Sequence, residues 1–184
     1  MYIETERLIL RDFAPTDLAC VHDLHMRPET IRYNPSGYPE SEDASRQFVM
    51  EWAAQQGLPE RRCYTAAVID KAYGSFAGII SLELGKPKYC KAEVWYKILP
   101  EYWGKGIATE ALTGILHFGF CILDLHRIEC GCSIRNGASF RVMEKAGMKR
   151  EGMKRQVLPL EDGWHDAYMY GILKDEFTAL NVTL

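Results

Sequence analysis

The sequence predicts a single α/β domain built on a mixed, mainly antiparallel sheet, and three observations carry that prediction. Cys63 to Asp70, Phe76 to Leu84 and Cys90 to Ile98 are runs rich in β-branched and aromatic residues, the first two joined by a turn at Gly74, so they read as an antiparallel meander. The third run stops at Pro100 and leads into a helical pattern and then a further strand, Arg127 to Ile134; a strand-helix-strand unit implies a parallel pair with a right-handed crossover. Near the end, Arg150 to Leu160 and Trp164 to Leu173 flank Glu161-Asp162-Gly163, whose Asp-Gly is a hairpin signal. With one opening strand the count comes to about seven strands, flanked by about four helices.

Taken in order, Glu4 to Asp12 alternates well enough to be that opening strand. Pro15 suits a first helical turn, and a helix should run from there to about Met26. Pro28, Pro35, Gly37 and Pro39 break the next stretch into an irregular connection carrying Tyr33 and Tyr38. Ser41, followed by Glu42 and Asp43, is a candidate N-cap for a second helix that Gly57 and Pro59 end. Beyond the meander, Ala108, Ala111, Leu112, Ile115, Leu116 and Gly119 mark the buried face of an amphipathic helix reaching about Ile122. A last helix spans Asn136 to Ala146, with Ala138, Val142, Met143 and Ala146 on one face and Gly147 as its stop.

Composition narrows the function classes. The chain has 184 residues, 47% hydrophobic and 26% charged, which suits one soluble domain with one core. A net charge of -3 without a basic block argues against a general nucleic-acid binder. No apolar run approaches a membrane span, and Glu4 and Glu6 are unlike a signal peptide, so the expected compartment is the cytoplasm. The six cysteines include no Cys-x-x-Cys pair; Cys130 and Cys132 would sit about 6.6 Å apart on one strand face, a poor disulfide geometry, so all six are expected as reduced, mostly core thiols. No His, Cys and carboxylate cluster has metal-ligand spacing, so no metal is expected. Free strand edges allow a homodimer.

The chemistry concentrates between Ala92 and Thr109. There a strand runs into a turn with Gly104 and Gly106 flanking Lys105, and the turn opens a helix. Such a junction gathers unpaired backbone N-H groups and the positive end of a helix dipole, which suits a phosphate, although Gly-x-Gly before a helix is also a common tight turn. The Lys lies between the glycines and Ile107 follows the second, so this is no Walker A loop; Thr109 stands where a dinucleotide fingerprint needs its third glycine.

Trp103-Gly104-Lys105-Gly106-Ile107-Ala108 resembles the acetyl-CoA pyrophosphate loop of the GNAT N-acetyltransferases, with Gly106 and Ala108 fitting and Trp103 departing from the usual Gln or Arg. Tyr102 to Ala111, the opening Thr5-Glu6-Arg7-Leu8-Ile9-Leu10-Arg11, and Asn136-Gly137-Ala138-Ser139 through Glu144-Lys145-Ala146-Gly147-Met148 are similar to the branch that acetylates ribosomal-protein N-termini. The resemblance spans nearly the whole chain in the expected order. It implies a GNAT-type sheet with a β-α-β acetyl-CoA-binding core, acetyl-CoA as co-substrate and a primary amine as acceptor. That amine is most simply a protein N-terminal α-amine, with a small amine (antibiotic, polyamine or metabolite) as the alternative. A non-catalytic acyl-CoA sensor is the competing reading from another class.

The resemblance also implies roles. Backbone N-H groups of Gly104, Lys105, Gly106, Ile107, Ala108 and Thr109 would hold the pyrophosphate; the strand edge at Tyr96, Lys97 and Ile98 would pair with the pantetheine amides; Asn136 would help to hold that arm, unless it serves only as an N-cap. Glu93 is the candidate base, with Glu83 second. The tyrosine that protonates the leaving thiolate in many members is Met143 here, which leaves Ser139 as the nearby hydroxyl. Tyr33, Tyr38 and Trp52 are candidates for an acceptor wall or for helix packing, and His165 is a further guess at the acceptor side.

Overall fold

The computed structural model describes residues 1–34, 39 and 41–179. Its frame is one sheet of eight strands: β1 (Tyr2–Glu4), β2 (Leu8–Asp12), β3 (Cys63–Asp70), β4 (Ser75–Leu84), β5 (Lys91–Ile98), β6 (Arg127–Ser133), β7 (Lys149–Leu160) and β8 (Gly163–Leu173). They lie in the order β1-β2-β3-β4-β5-β6-β8-β7, and only the β5/β6 pair is parallel. The helices are α1 (Leu18–Met26), α2 (Pro28–Ile31), α3 (Glu42–Gln55), α4 (Ile107–His117), α5 (Gly137–Lys145) and α6 (Lys174–Ala179).

The sheet has one strand more than expected because the opening run is a hairpin. Thr5 folds it: its N-H donates to the Leu8 carbonyl (2.9 Å), while its Oγ accepts from the Leu8 N-H (3.1 Å), so β1 turns back onto β2. The two added helices are short. Pro28, read as a breaker, instead begins α2, where its fixed φ and missing N-H do no harm. At the other end, Glu176 accepts from the Leu173 N-H (3.0 Å) and helps to start α6. The Ser41 cap is present, its Oγ accepting from Ala44 N-H (3.2 Å). Tyr38, Pro35 and Gly37 lie outside the described residues. The six cysteines are free, but Cys20, Cys90 and Cys121 are exposed, so the core expectation fits only Cys130 and Cys132 fully.

Helices cover both faces. On one, Ile107, Ala111, Leu112, Ile115 and Leu116 of α4 and Met143 of α5 bury themselves against Leu10, Val68, Leu82, Val94 and Ile128. On the other, Val21 and Leu24 of α1 and Val49 of α3 pack with Phe13, Ala67, Ile79 and Leu99. Trp52 lies in this second layer, its ring 4.9 Å from Phe13 and 6.4 Å from Trp95, so it packs the helices onto the sheet.

The feature that positions the site is a parting of β5 from β6. They pair only from Lys91 to Glu93 against Arg127 to Glu129, whereas β5 stays on β4 through Ile98 and β6 stays on β8 through Ser133. A V-shaped cleft therefore opens beside Val94 to Ile98.

Candidate functional site

Antiparallel pairing alternates the direction of backbone groups along a strand. Leu99 donates its N-H to the Ala77 carbonyl (2.9 Å), so Trp95 and Lys97 also bond toward β4, and the peptide groups of Val94, Tyr96 and Ile98 face the cleft. The backbone of Lys97 thus belongs to the β4 ladder, unlike its neighbours Tyr96 and Ile98. Its side chain instead enters the α1/α3 layer, where burial pulls its pKa down to about 8.

Past Ile98 the chain makes one tight turn at Pro100–Tyr102 and enters the glycine loop. Gly104 and Gly106 have φ of +73° and +81°, a left-handed conformation that suits glycine. Gly106 is the N-cap of α4 and offers no side-chain cap, so the N-H groups of Ile107, Ala108 and Thr109 point out of the helix end; the Glu110 N-H is already bonded inside, to Gly106 O (3.0 Å). Trp103 is tied in by its indole, which donates to the Ile98 carbonyl (2.7 Å). That bond takes the one cleft-facing carbonyl nearest the loop. Lys105 Nζ lies 5.8 Å from the Tyr102 ring centre.

Across the cleft, Asn136 caps α5 by accepting from the Ser139 N-H (3.1 Å), which leaves its amide N-H groups as donors. The Tyr96 hydroxyl crosses from β5 to this helix start and lies 3.0 Å from both the Ser139 carbonyl and Ser139 Oγ. Burial pushes the Tyr96 phenol far up, so it is a donor. Cys132 also meets the Ser139 hydroxyl, and burial raises its thiol to about 11. Met143 is fully buried one turn further along α5. The Tyr96 phenol at this helix start is a contact that motif reading misses; the alternation Ala92, Val94, Tyr96, Ile98, which puts one polar tip among apolar residues on a buried face, is the signal that reveals it.

On the opposite face Glu93 is exposed, directly across from Glu83 on β4 and beside Glu129 on β6. Glu83 accepts from Trp95 Nε1 (2.6 Å), and Glu129 is held by Lys91 (2.8 Å) and Arg127 (2.9 Å). Among the described residues the Glu93 side chain makes no ion pair or hydrogen bond. His165 is buried at the hairpin, its Nε2 2.6 Å from Asp162, which also holds Arg135 (3.0 Å). That tie fastens His165 of β8 to the hairpin turn.

With this geometry in place, comparison with known proteins is decisive: residues 7–149 match the family described as "Acetyltransferase (GNAT) domain". The chain belongs to the GNAT acetyltransferases. It is 32% identical over 183 residues to the uncharacterized N-acetyltransferase YnaD of Bacillus subtilis, covering 96% of this chain and 99% of that one. It is 36% identical over 104 residues, 56% of this chain and 57% of the relative, to Bacillus subtilis YdaF, a protein provisionally named a ribosomal N-acetyltransferase. A solved spermidine N-acetyltransferase from Vibrio cholerae, in complex with CoA and spermine, shares the fold with a TM-score of 0.82 at 24% identity over 95% of this chain and 99% of that one.

This GNAT chain is therefore an N-acetyltransferase. Its cleft offers an anion cradle at α4, an open strand edge for amide groups, a hydroxyl pair on the α4/α5 side and carboxylates on the α1/α3 side. No described helix is long and apolar enough to cross a membrane.

Proposed function

We propose that this GNAT enzyme takes acetyl from acetyl-CoA and delivers it to a protein N-terminal α-amine. The observation that carries the reading is the alignment of three donor sets along one cleft: the uncapped end of α4, the free edge of β5, and the Tyr96–Ser139 hydroxyls. Acetyl-CoA brings an activated thioester; the chain binds, orients and moves protons. Backbone N-H groups from Gly104 to Thr109 hold the diphosphate. Tyr96 and Ile98 present cleft-facing N-H groups to the pantetheine, and because Trp103 occupies the Ile98 carbonyl, the acceptor carbonyls left on this edge are those of Val94 and Tyr96. Asn136 contributes its amide N-H groups. Ser139 donates a hydrogen bond to the sulfur as it leaves, and Glu93, unpaired and solvated, takes the proton from the incoming ammonium, directly or through water.

Support for a peptide acceptor comes from the α1/α3 side of the sheet. Glu83 and Glu93 favour a cationic amine. Gly131 on β6, on the same side as Glu129, is exposed, so the floor beside the cleft is open to a peptide chain. The name carried by YdaF points the same way.

The test is thiol release from acetyl-CoA with a panel of N-terminal peptides, diamines and aminoglycosides, read beside calorimetric titration with CoA. Turnover is expected with peptides, and Glu93→Gln should slow it by about 10²-fold without raising the KM for acetyl-CoA. Turnover confined to diamines or aminoglycosides would transfer the reading to small amines. CoA binding without turnover on any acceptor would favour a sensor.

A further inference from the structure

The stretch Thr5 to Arg7 has no part in the roles above, yet it grips the phosphate loop from behind. Arg7 Nε and Nη2 both lie 2.6 Å from Glu110 Oε2, and its Nη1 donates to the Lys105 carbonyl (2.9 Å). The other carboxylate oxygen, Oε1, accepts from the Arg7 backbone N-H (2.7 Å) and from Thr5 Oγ (2.6 Å). Burial works to raise the Glu110 carboxyl, but these Thr5 and Arg7 bonds outweigh it and keep the group ionised.

Glu110 stands in the first turn of α4. A carboxylate there agrees with the helix dipole but repels any anion seated at the same helix end. Arg7 cancels that charge. Its second bond has a geometric effect, because in a planar trans peptide the C=O and the following N-H point in opposite directions. Holding the Lys105 carbonyl toward Arg7 therefore turns the Gly106 N-H outward, away from Arg7. The guanidinium is packed so closely that a Cβ on Gly106 would lie 3.3 Å from Arg7 Nη2.

We propose that Arg7 is a positioning residue for the acetyl-CoA diphosphate: through the Lys105 carbonyl it aims the Gly106 N-H, and through Glu110 it removes a negative charge from the anion site. The proposal rests on the acetyl-CoA reading of the loop. It links the opening motif to a loop about 100 residues away, and it assigns Glu110 a dual part, strut for the loop and a charge that must be masked.

CoA affinity, measured by calorimetry at low and moderate salt, tests it. Arg7→Ala should bind CoA about tenfold more weakly, and the double variant Arg7→Ala/Glu110→Gln should regain about threefold of that loss, because the unmasked carboxylate is gone. A purely structural clamp makes the opposite demand, since the double variant removes more of the clamp. Arg7→Ala within twofold of wild type, or a double variant as weak as the single one, overturns the proposal. Should Arg7→Ala fail to melt cooperatively, Glu110→Gln alone decides: the masking role, offsetting the lost strut, keeps CoA affinity within about fivefold of wild type, and a larger loss would show a strut and nothing more and overturn the proposal. If wild type itself binds no CoA, the cofactor reading falls and takes the proposal with it; if wild type binds and Arg7→Ala binds equally well, only the proposal falls.

Discussion

Met143 occupies the helix position from which many GNAT members reach the leaving sulfur with a tyrosine, and a thioether has no proton to give. The phenol present in this chain arrives from the strand instead, since the Tyr96 hydroxyl lies 3.0 Å from Ser139 Oγ. The raised Tyr96 phenol does not ionise at working pH, so it keeps its single proton, which the Ser139 carbonyl and Oγ share; when that proton turns to Oγ, the proposed serine donor is free to face the sulfur. A net transfer from Tyr96 is unnecessary, because a thiolate whose acid has a pKa near about 8.5 leaves readily. Tyr96→Phe should lower kcat by up to about tenfold, the value of one hydrogen bond between neutral groups, with little change in the KM for acetyl-CoA. Ser139→Ala should cost at least as much. Because the two hydroxyls act in series, the double variant should be no slower than Ser139→Ala alone; additive losses in steady-state kinetics would mean that they act separately.

At the scale of elements, the loop before α4 depends on conformation at one glycine and on conformation plus space at the other. Gly104 has φ +73° and nothing within 4 Å of an added Cβ, so Gly104→Ala meets only the left-handed strain of about 1–2 kcal/mol. Gly106 has φ +81° and also carries the Arg7 guanidinium against its back. Gly106→Trp should therefore weaken CoA binding by about 10²-fold or more, and Gly104→Ala by no more than about tenfold, with unchanged far-UV circular dichroism in both. Equal effects in calorimetry would remove the distinction. Local rules made much of this region legible. The bounds of β3, the Ser41 cap of α3 and the glycine loop opening α4 all follow from residues adjacent in sequence. What stayed hidden depends on side chains that meet at a distance. Thr5 makes a hairpin with its own hydroxyl where alternation reads as one strand. Lys97 and Tyr96 turn their peptide groups toward opposite neighbours, and that needs the β4 register. The Arg7–Glu110 pair joins residues about 100 positions apart, beyond the reach of any motif spacing.

At the scale of the whole molecule, α1, α3 and the sheet meet at a buried base. His25 of α1 is 8% exposed, with its ring centre 6.1 Å from Phe48 and 6.5 Å from Trp52 of α3. Burial, with the positive Lys97 and His22 nearby, lowers it from 6.5 to about 4. Between these values the unfolded chain binds a proton that the folded chain refuses, so stability is lost as pH falls from about 6.5 toward 4, by up to about 3 kcal/mol. Lys97 acts in the same direction at higher pH: held at about 8 against an ordinary 10.5, it makes stability rise as pH climbs through that interval. The carboxylates Asp12, Asp17 and Glu110 are held below their ordinary values, which start at 3.8 and 4.5, so their losses begin only below the upper part of the His25 window. Between pH 6.5 and 5 the histidine therefore contributes most of the change in urea midpoint. Wild type should lose stability steadily across that range, and His25→Phe, which keeps an aromatic ring against Phe48 and Trp52, should have a distinctly shallower slope. Equal slopes in the two proteins would place the proton uptake elsewhere, and would mean that the α1–α3 layer is held to the sheet without an acid-sensitive joint.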